Sequence, residues 1–171
     1  VHPFDGHTTA CGTGTLGAEV LRQAGSLDAV VVAIGGGGLA GGLAHAVKLI
    51  NPTCLVLGVE PQGADAMSRS FKAGHPVKLD KVDTIADSLA PPMALPYGYG
   101  LCRNAIDDIV TLDDDLIAAG MAVLQADAKL AVEPAAGAAA AAVLGPYRQR
   151  LYGKRTALIV CGANIDGTTY G

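Results

Sequence analysis

Apolar and polar positions alternate in blocks along the chain, and the period within a block switches between helical and extended. In 13–23 Leu16, Val20 and Leu21 fall on one helical face and Gly25 supplies a stop, so a helix is expected there. The segment 28–34 (DAVVVAI) is a β-branched run without polar alternation, the pattern of a strand covered on both faces. A run of glycines follows, then a helix over about 39–50 closed by Asn51-Pro52. Residues 54–60 (CLVLGVE) read as a second buried strand and 64–73 as another helix. The stretch 74–99 is rich in Pro and Gly and reads mainly as loop, with a helix starting near Tyr99. A short strand at 108–112 precedes Asp113-Asp114-Asp115, whose acids suit the dipole at the start of a helix running to about Lys129. A small-residue helix over 133–144 opens with Pro134 in its first turn, and 156–161 (TALIVC) is the last strand. Strands alternating with helices predict a three-layer αβα fold around a mainly parallel sheet. The length fits one domain over residues 1–171.

Composition narrows the function. Only 16% of residues are charged, the formal net charge is −4 and the pI is about 5.4. No basic field is available to hold a polyanion, which argues against nucleic acid as a partner. No apolar run reaches the roughly 18 residues of a membrane-spanning helix, and no charged leader precedes an apolar run, so a soluble protein without a membrane partner is expected. Cys11, Cys54, Cys102 and Cys161 form no CxxC pair and fit buried thiols of a reducing compartment, hence a cytoplasmic location. The chain opens Val1-His2-Pro3-Phe4, without an initiator Met, and is expected to be a piece of something longer.

The candidate chemistry starts at Gly35-Gly36-Gly37-Gly38-Leu39, where a buried strand gives way to a helix. That is the edge of an open α/β sheet at which ligands bind. Successive amides unshielded by Cβ atoms, with a helix dipole behind them, suit a phosphate group; the plainer alternative is a turn that only permits tight packing. Gly36-x-Gly38-x-x-Gly41 also satisfies a dinucleotide fingerprint, and Glu60 stands where such a fold places its ribose carboxylate. On the glycine motif alone, NAD and a simpler phosphorylated cofactor remain nearly level.

Further segments occur in a fixed order: His2-Pro3-Phe4 with GTGTLGAEVL, Val59-Glu60-Pro61, Thr84-Ile85-Ala86-Asp87-Ser88, Glu133-Pro134-Ala135-Ala136-Gly137-Ala138 and Cys161-Gly162-Ala163-Asn164-Ile165-Asp166. With GGGGL, this set resembles the C-terminal half of the fold-type-II enzymes dependent on pyridoxal 5′-phosphate (PLP), in the branch of threonine dehydratase, serine dehydratase and serine racemase. The resemblance covers nearly the whole chain. It implies the C-terminal part of the large domain of a tryptophan synthase β-like enzyme.

The same resemblance places the cofactor phosphate on Gly35, Gly36, Gly37, Gly38 and the Leu39 amide, the pyridine nitrogen at Cys161, and Glu133 and Ser88 beside cofactor and substrate. Many relatives carry Gly where this chain has Ser88. By base rate Cys161 would be a core thiol and Glu133 an acid at a helix start. A divalent or monovalent cation is implied near the VEP turn, with Glu60, Ala64 and Asp65 as candidates; Ala66 stands near the place of the relatives' second carboxylate.

The implied activity of the parent is β-elimination of the hydroxyl of L-threonine or L-serine, a small amino-acid substrate, to a 2-oxo acid and ammonia. Serine racemase, another hydroxyamino-acid lyase, an NAD-binding oxidoreductase domain and a non-catalytic assembly fragment are the alternatives. A thiol partner for the ring nitrogen is a weaker acid than a carboxyl, which suits elimination over transamination. The family's Schiff-base lysine lies in an N-terminal Ser-x-Lys-x-Arg-Gly type segment that this chain lacks. Lys48, Lys72, Lys78, Lys81, Lys129 and Lys154 sit in unrelated contexts, so no catalytic residue is assigned here. The isolated chain is expected to bind the cofactor weakly and to turn over no amino acid, and to associate with itself or with an N-terminal fragment. The histidines His2, His7, His45 and His75 have no spacing of a ligand set or triad and are read as surface or capping residues.

Overall fold

The computed structural model describes residues 1–167. In chain order the elements are α1 (His7–Ala24), β1 (Ala29–Ala33), α2 (Gly38–Ile50), β2 (Leu55–Pro61), α3 (Ala66–Ala73), α4 (Pro96–Ala105), β3 (Asp108–Leu112), α5 (Asp114–Ala128), α6 (Pro134–Leu144), α7 (Arg148–Leu151) and β4 (Thr156–Leu158). The four strands form one parallel sheet in the order β3-β2-β1-β4. The expected three-layer parallel architecture is therefore present.

The period-2 geometry of a strand explains how one apolar run serves two cores. Val30, Val32 and Ile34 face α1, α2 and α4, together with Leu21, Leu43, Val47 and Cys102. Ala29, Val31 and Ala33 face the other way, against the alanines of α6, Ile117 and Tyr147. The alanine-rich sequence of α6 makes it thin enough to lie directly on the sheet. The Tyr147 hydroxyl donates to the Gly58 carbonyl at 2.9 Å, tying the segment after α6 to the sheet.

Helices α1 and α2 cross closely because glycines stand at the contact. A Cβ at Gly17 would lie 2.6 Å from the Leu43 carbonyl oxygen, and one at Gly42 would overlap Thr13 Oγ1 and the Ala10 carbonyl. The Thr13 hydroxyl reaches across to donate to the Gly38 carbonyl at 2.7 Å, so α1 holds the first residue of α2.

Several boundaries differ from the sequence reading. Helix α1 starts at His7, six residues before the apolar period becomes visible, and α4 starts at Pro96, since Pro tolerates a first helical turn. Residues 62–64 form a 3₁₀ turn before α3, because the chain must fold back at Pro61. The last strand stops at Leu158, which leaves Cys161 beyond the sheet ladder. The short α7 carries too few residues to show a period. Strand β3 is half-buried, as an edge strand with Asp108 and Thr111 can be.

Candidate functional site

The bend after β1 sits at the carboxyl edge of the sheet, as its sequence predicts. Gly37 takes φ +90°, a left-handed conformation that a side chain disfavours, and caps α2. The bend lines a cleft of about 200 Å³ together with Pro3, Phe4, Ser88, Leu89, Glu133 and Cys161. Among the described residues, no acceptor is recorded for the amides of Gly35, Gly36, Gly37, Gly38 and Leu39. Gly36, Gly37 and Gly38 are buried, and buried amides without partners are costly unless a ligand satisfies them. With the dipole of a thirteen-residue helix behind them, these groups fit a phosphate monoester.

Why the bend needs glycines is visible in what surrounds it. A Cβ at Gly35 would meet the Ser88 carbonyl oxygen at 3.0 Å, and one at Gly38 would meet the Phe4 backbone at 2.6 Å. At Gly36 it would overlap the Phe4 ring. The segment carrying Phe4 is held by Asp5, whose carboxylate accepts from the Gly98 amide at 2.7 Å. Phe4 thus covers one side of the bend. The remaining wall of the cleft sets Ser88, Glu133 and Cys161 among the apolar Leu89 and Ala135.

That wall is built around Glu133, the residue before α6. Its carboxylate accepts from the Ser88 hydroxyl at 2.9 Å and from the Asn164 amide at 3.1 Å. It is the N-cap residue of α6 yet makes no side-chain bond to that helix, its oxygens being engaged by Ser88 and Asn164. Gly162 passes against it, and a Cβ there would stand 2.5–2.6 Å from its carboxylate atoms. The loop carrying Ser88 is fixed by Asp114, which accepts from the Thr84 hydroxyl at 2.7 Å and the Ile85 amide at 2.9 Å. Cys161 lines the same cleft; burial, and next the charge of Glu133, push its thiol up to about 11. Each of the phosphate, ring and substrate candidates named from the sequence, Gly35 to Leu39, Ser88, Glu133 and Cys161, therefore meets in one cleft.

Phe4, Gly162 and the Asn164 amide are additions to that set. They belong to the HPF and CGANID segments, whose order was already a signal, but contact between segments far apart in the chain is not written in either one.

The candidates near the VEP turn are placed differently. Glu60 is fully buried, and its oxygens accept from the amides of Met67 at 2.8 Å and Ser68 at 2.7 Å, satisfying the start of α3. Burial pushes its carboxyl up to about 7 despite these bonds. Its carboxylate is therefore committed to the protein and does not reach a ribose in the cleft, which removes the carboxylate on which the NAD reading rested. Asp65 pairs with Arg69 at 2.8 Å, and Ala64 ends the 3₁₀ turn. Among the described residues, no group of three or more His, Cys, Asp or Glu side chains could hold a metal ion.

Fold and cleft together define a parallel α/β protein with a glycine-lined cleft at the carboxyl edge of its sheet. Comparison with known sequences makes that specific: the model of the pyridoxal-phosphate dependent enzyme family matches residues 1–162, and the chain belongs to this family. Phenylserine dehydratase of Ralstonia pickettii is 52% identical over 170 residues, covering 99% of this chain and 52% of that protein. The biosynthetic L-threonine dehydratase of Escherichia coli is 38% identical over 168 residues, covering 97% of this chain and 32% of that protein. Among solved structures, maize serine racemase superposes with a TM-score of 0.93 at 35% identity, covering 99% of this chain and 52% of that one. The T.th. threonine deaminase gives 0.91 at 38% identity, covering 97% and 62%. The chain thus spans about a third to about a half of the curated relatives it matches. None of its helices is long and apolar enough, among the described residues, to cross a membrane.

Proposed function

We propose that residues 1–171 form one cofactor-phosphate-binding unit of a PLP-dependent ammonia-lyase. In this reading the parent enzyme removes the β-hydroxyl of a 3-hydroxy-α-amino acid such as L-threonine or L-serine and releases a 2-oxo acid and ammonia. The observation that carries the reading is the run of buried, unpartnered amides from Gly36 to Gly38, in the cleft that also holds Cys161 and Glu133. Bound PLP supplies an electron sink for bonds at the substrate α-carbon.

The residues of this chain have separate tasks. The amides of Gly35 to Leu39 bind the phosphate dianion and fix the position of the group. Phe4, packed on the glycines, excludes water from one side. The Cys161 thiol, pushed up to about 11 and so protonated at neutral pH, would stand beside the ring nitrogen and offer it a weak hydrogen bond, a partner suited to elimination of a β-hydroxyl over transamination. Ser88 and the Asn164 amide hold the Glu133 carboxylate at the rim, where it orients an ammonium group or holds a proton. The Schiff-base lysine and the grip on the substrate carboxylate belong to the part of the relatives that this chain does not span. A cation, if the parent uses one, draws at most on Glu60 and Asp65, both already engaged. A cytoplasmic setting agrees with free cysteines throughout.

Association with a second copy or with the remaining segment is supported by Leu49 and Tyr152, 83% and 90% exposed. Racemisation of serine is the second reading, favoured by the superposition on maize serine racemase. The test is an assay of the full-length protein with PLP on L-threonine, L-serine, L-threo-phenylserine and D-serine. Release of 2-oxo acid and ammonia from the L-hydroxyamino acids is expected; conversion of L- to D-serine as the dominant reaction would select the second reading, and no turnover of any of them would refute both.

A further inference from the structure

Thr13 of α1 lies outside the lining of the cleft, yet its side chain touches the glycine bend. Its hydroxyl carries one proton and has three carbonyl oxygens within reach: Gly38 at 2.7 Å, Thr9 at 3.1 Å and Ala10 at 3.3 Å. The two longer contacts are the back-bonds that any helical threonine can make. The shortest runs to another helix and takes the proton. Gly42 leaves room for it, since a Cβ there would overlap Thr13 Oγ1.

We propose that Thr13 is a positioning residue for the cofactor phosphate, acting through the Leu39 amide. The role rests on the phosphate reading of the bend given above. The Gly38 carbonyl and the Leu39 N–H belong to one planar trans peptide and point opposite ways. A donor that fixes the carbonyl therefore fixes the direction of the amide, and the Leu39 amide has no acceptor among the described residues. Donation to the carbonyl also polarises the peptide and makes its N–H a stronger donor.

The neighbouring peptide shows the contrast. The Gly37 carbonyl accepts from its helical partner, the Gly41 amide, at 2.8 Å, and its contact from outside α2 is the Cys102 thiol, a weak donor, at 3.7 Å. The strong donor from another element is spent on the Gly38 carbonyl, one peptide further along. Donors already ordered before an anion arrives bind it more tightly than donors that must be ordered by it.

The experiment compares binding of pyridoxamine 5′-phosphate to the ¹⁵N-labelled chain in four forms: wild type, Thr13→Ala, Thr13→Ser and Thr15→Ala. Circular dichroism checks each fold, which alanine, a better helix former than threonine, should keep. Thr13→Ala should raise the dissociation constant about three- to tenfold, the effect of losing one hydrogen bond. Thr13→Ser keeps the hydroxyl and should bind within about twofold of wild type. Thr15→Ala loses an exposed hydroxyl that back-bonds to the Gly12 carbonyl at 2.7 Å, and should bind as the wild type does. Without ligand, the Leu39 amide proton should move upfield in Thr13→Ala and stay in place in Thr13→Ser, a signature that looser packing of α1 on α2 does not produce. Equal affinity of Thr13→Ala and wild type, equal weakening by Thr13→Ser, a matching loss in Thr15→Ala or an unmoved Leu39 proton overturns the role of Thr13 and leaves the phosphate reading standing. Absence of wild-type binding at the bend overturns both.

Discussion

Replacing Glu60 with Ala separates a carboxylate that builds the fold from one that binds a ligand. Two buried amides, Met67 and Ser68, lose their acceptors, at about 1–3 kcal/mol each. A cavity forms where a fully buried side chain stood. Against this, the variant no longer keeps a carboxyl out of water, a cost reflected in its rise from 4.5 to about 7. The net destabilisation is about 2–4 kcal/mol, read as a fall in the urea midpoint.

The pH dependence gives the sign independently. The folded carboxyl titrates above its unfolded value, so its stabilising protonation is complete below about 4.5 and is lost as pH rises through about 7. From about pH 5 to about pH 7 the wild type should lose up to about 1.4 kcal/mol per pH unit from this group, and Glu60→Gln, with no proton to lose, should lack that component. A Glu60→Ala effect below about 0.5 kcal/mol, or identical pH slopes for wild type and Glu60→Gln, would refute the reasoning.

Three other perturbations follow from contacts described above. Glu133→Gln removes the charge beside Cys161, so the thiol should ionise below about 11; the pH profile of iodoacetamide alkylation in a Cys11→Ser background reads this, and an unchanged profile contradicts it. Tyr147→Phe leaves the Gly58 carbonyl short of a buried donor and should cost about 1–2 kcal/mol in urea unfolding, with retained stability as the opposing result. Gly42→Ala drives a methyl into Ala10 and Thr13 and should cost about 1–3 kcal/mol while loosening the Thr13 bond to Gly38; unaltered hydrogen exchange in α1 would count against that packing.

Where an element is long and its period regular, the sequence was enough. The runs around Val30 to Val32 and Leu55 to Val59 read as buried strands because nothing polar interrupts them, and the glycine run between them read as the turn from strand to helix, which is where the structure has one. What stayed hidden depends on contacts between distant segments. The start of α1 at His7 is polar and small, so no period marks it; its place is set by packing on α2 through Gly14, Gly17 and Gly42. Glu60 looked like a ligand because it ends a strand beside a turn, and only its burial under α3 shows that two amides claim it. The resemblance named Ser88 and Glu133 separately, while the hydrogen bond joining them across forty-five residues of sequence is a property of the fold.

The most direct test of the account follows the amide resonances of the ¹⁵N-labelled chain during titration with pyridoxamine 5′-phosphate, which has no aldehyde to react with lysines. The largest shifts should fall on Gly36, Gly37, Gly38 and Leu39, and dephosphorylated pyridoxamine should leave them in place. Equal shifts from both compounds, or shifts centred away from the bend after β1, would contradict the claim that these amides bind the phosphate.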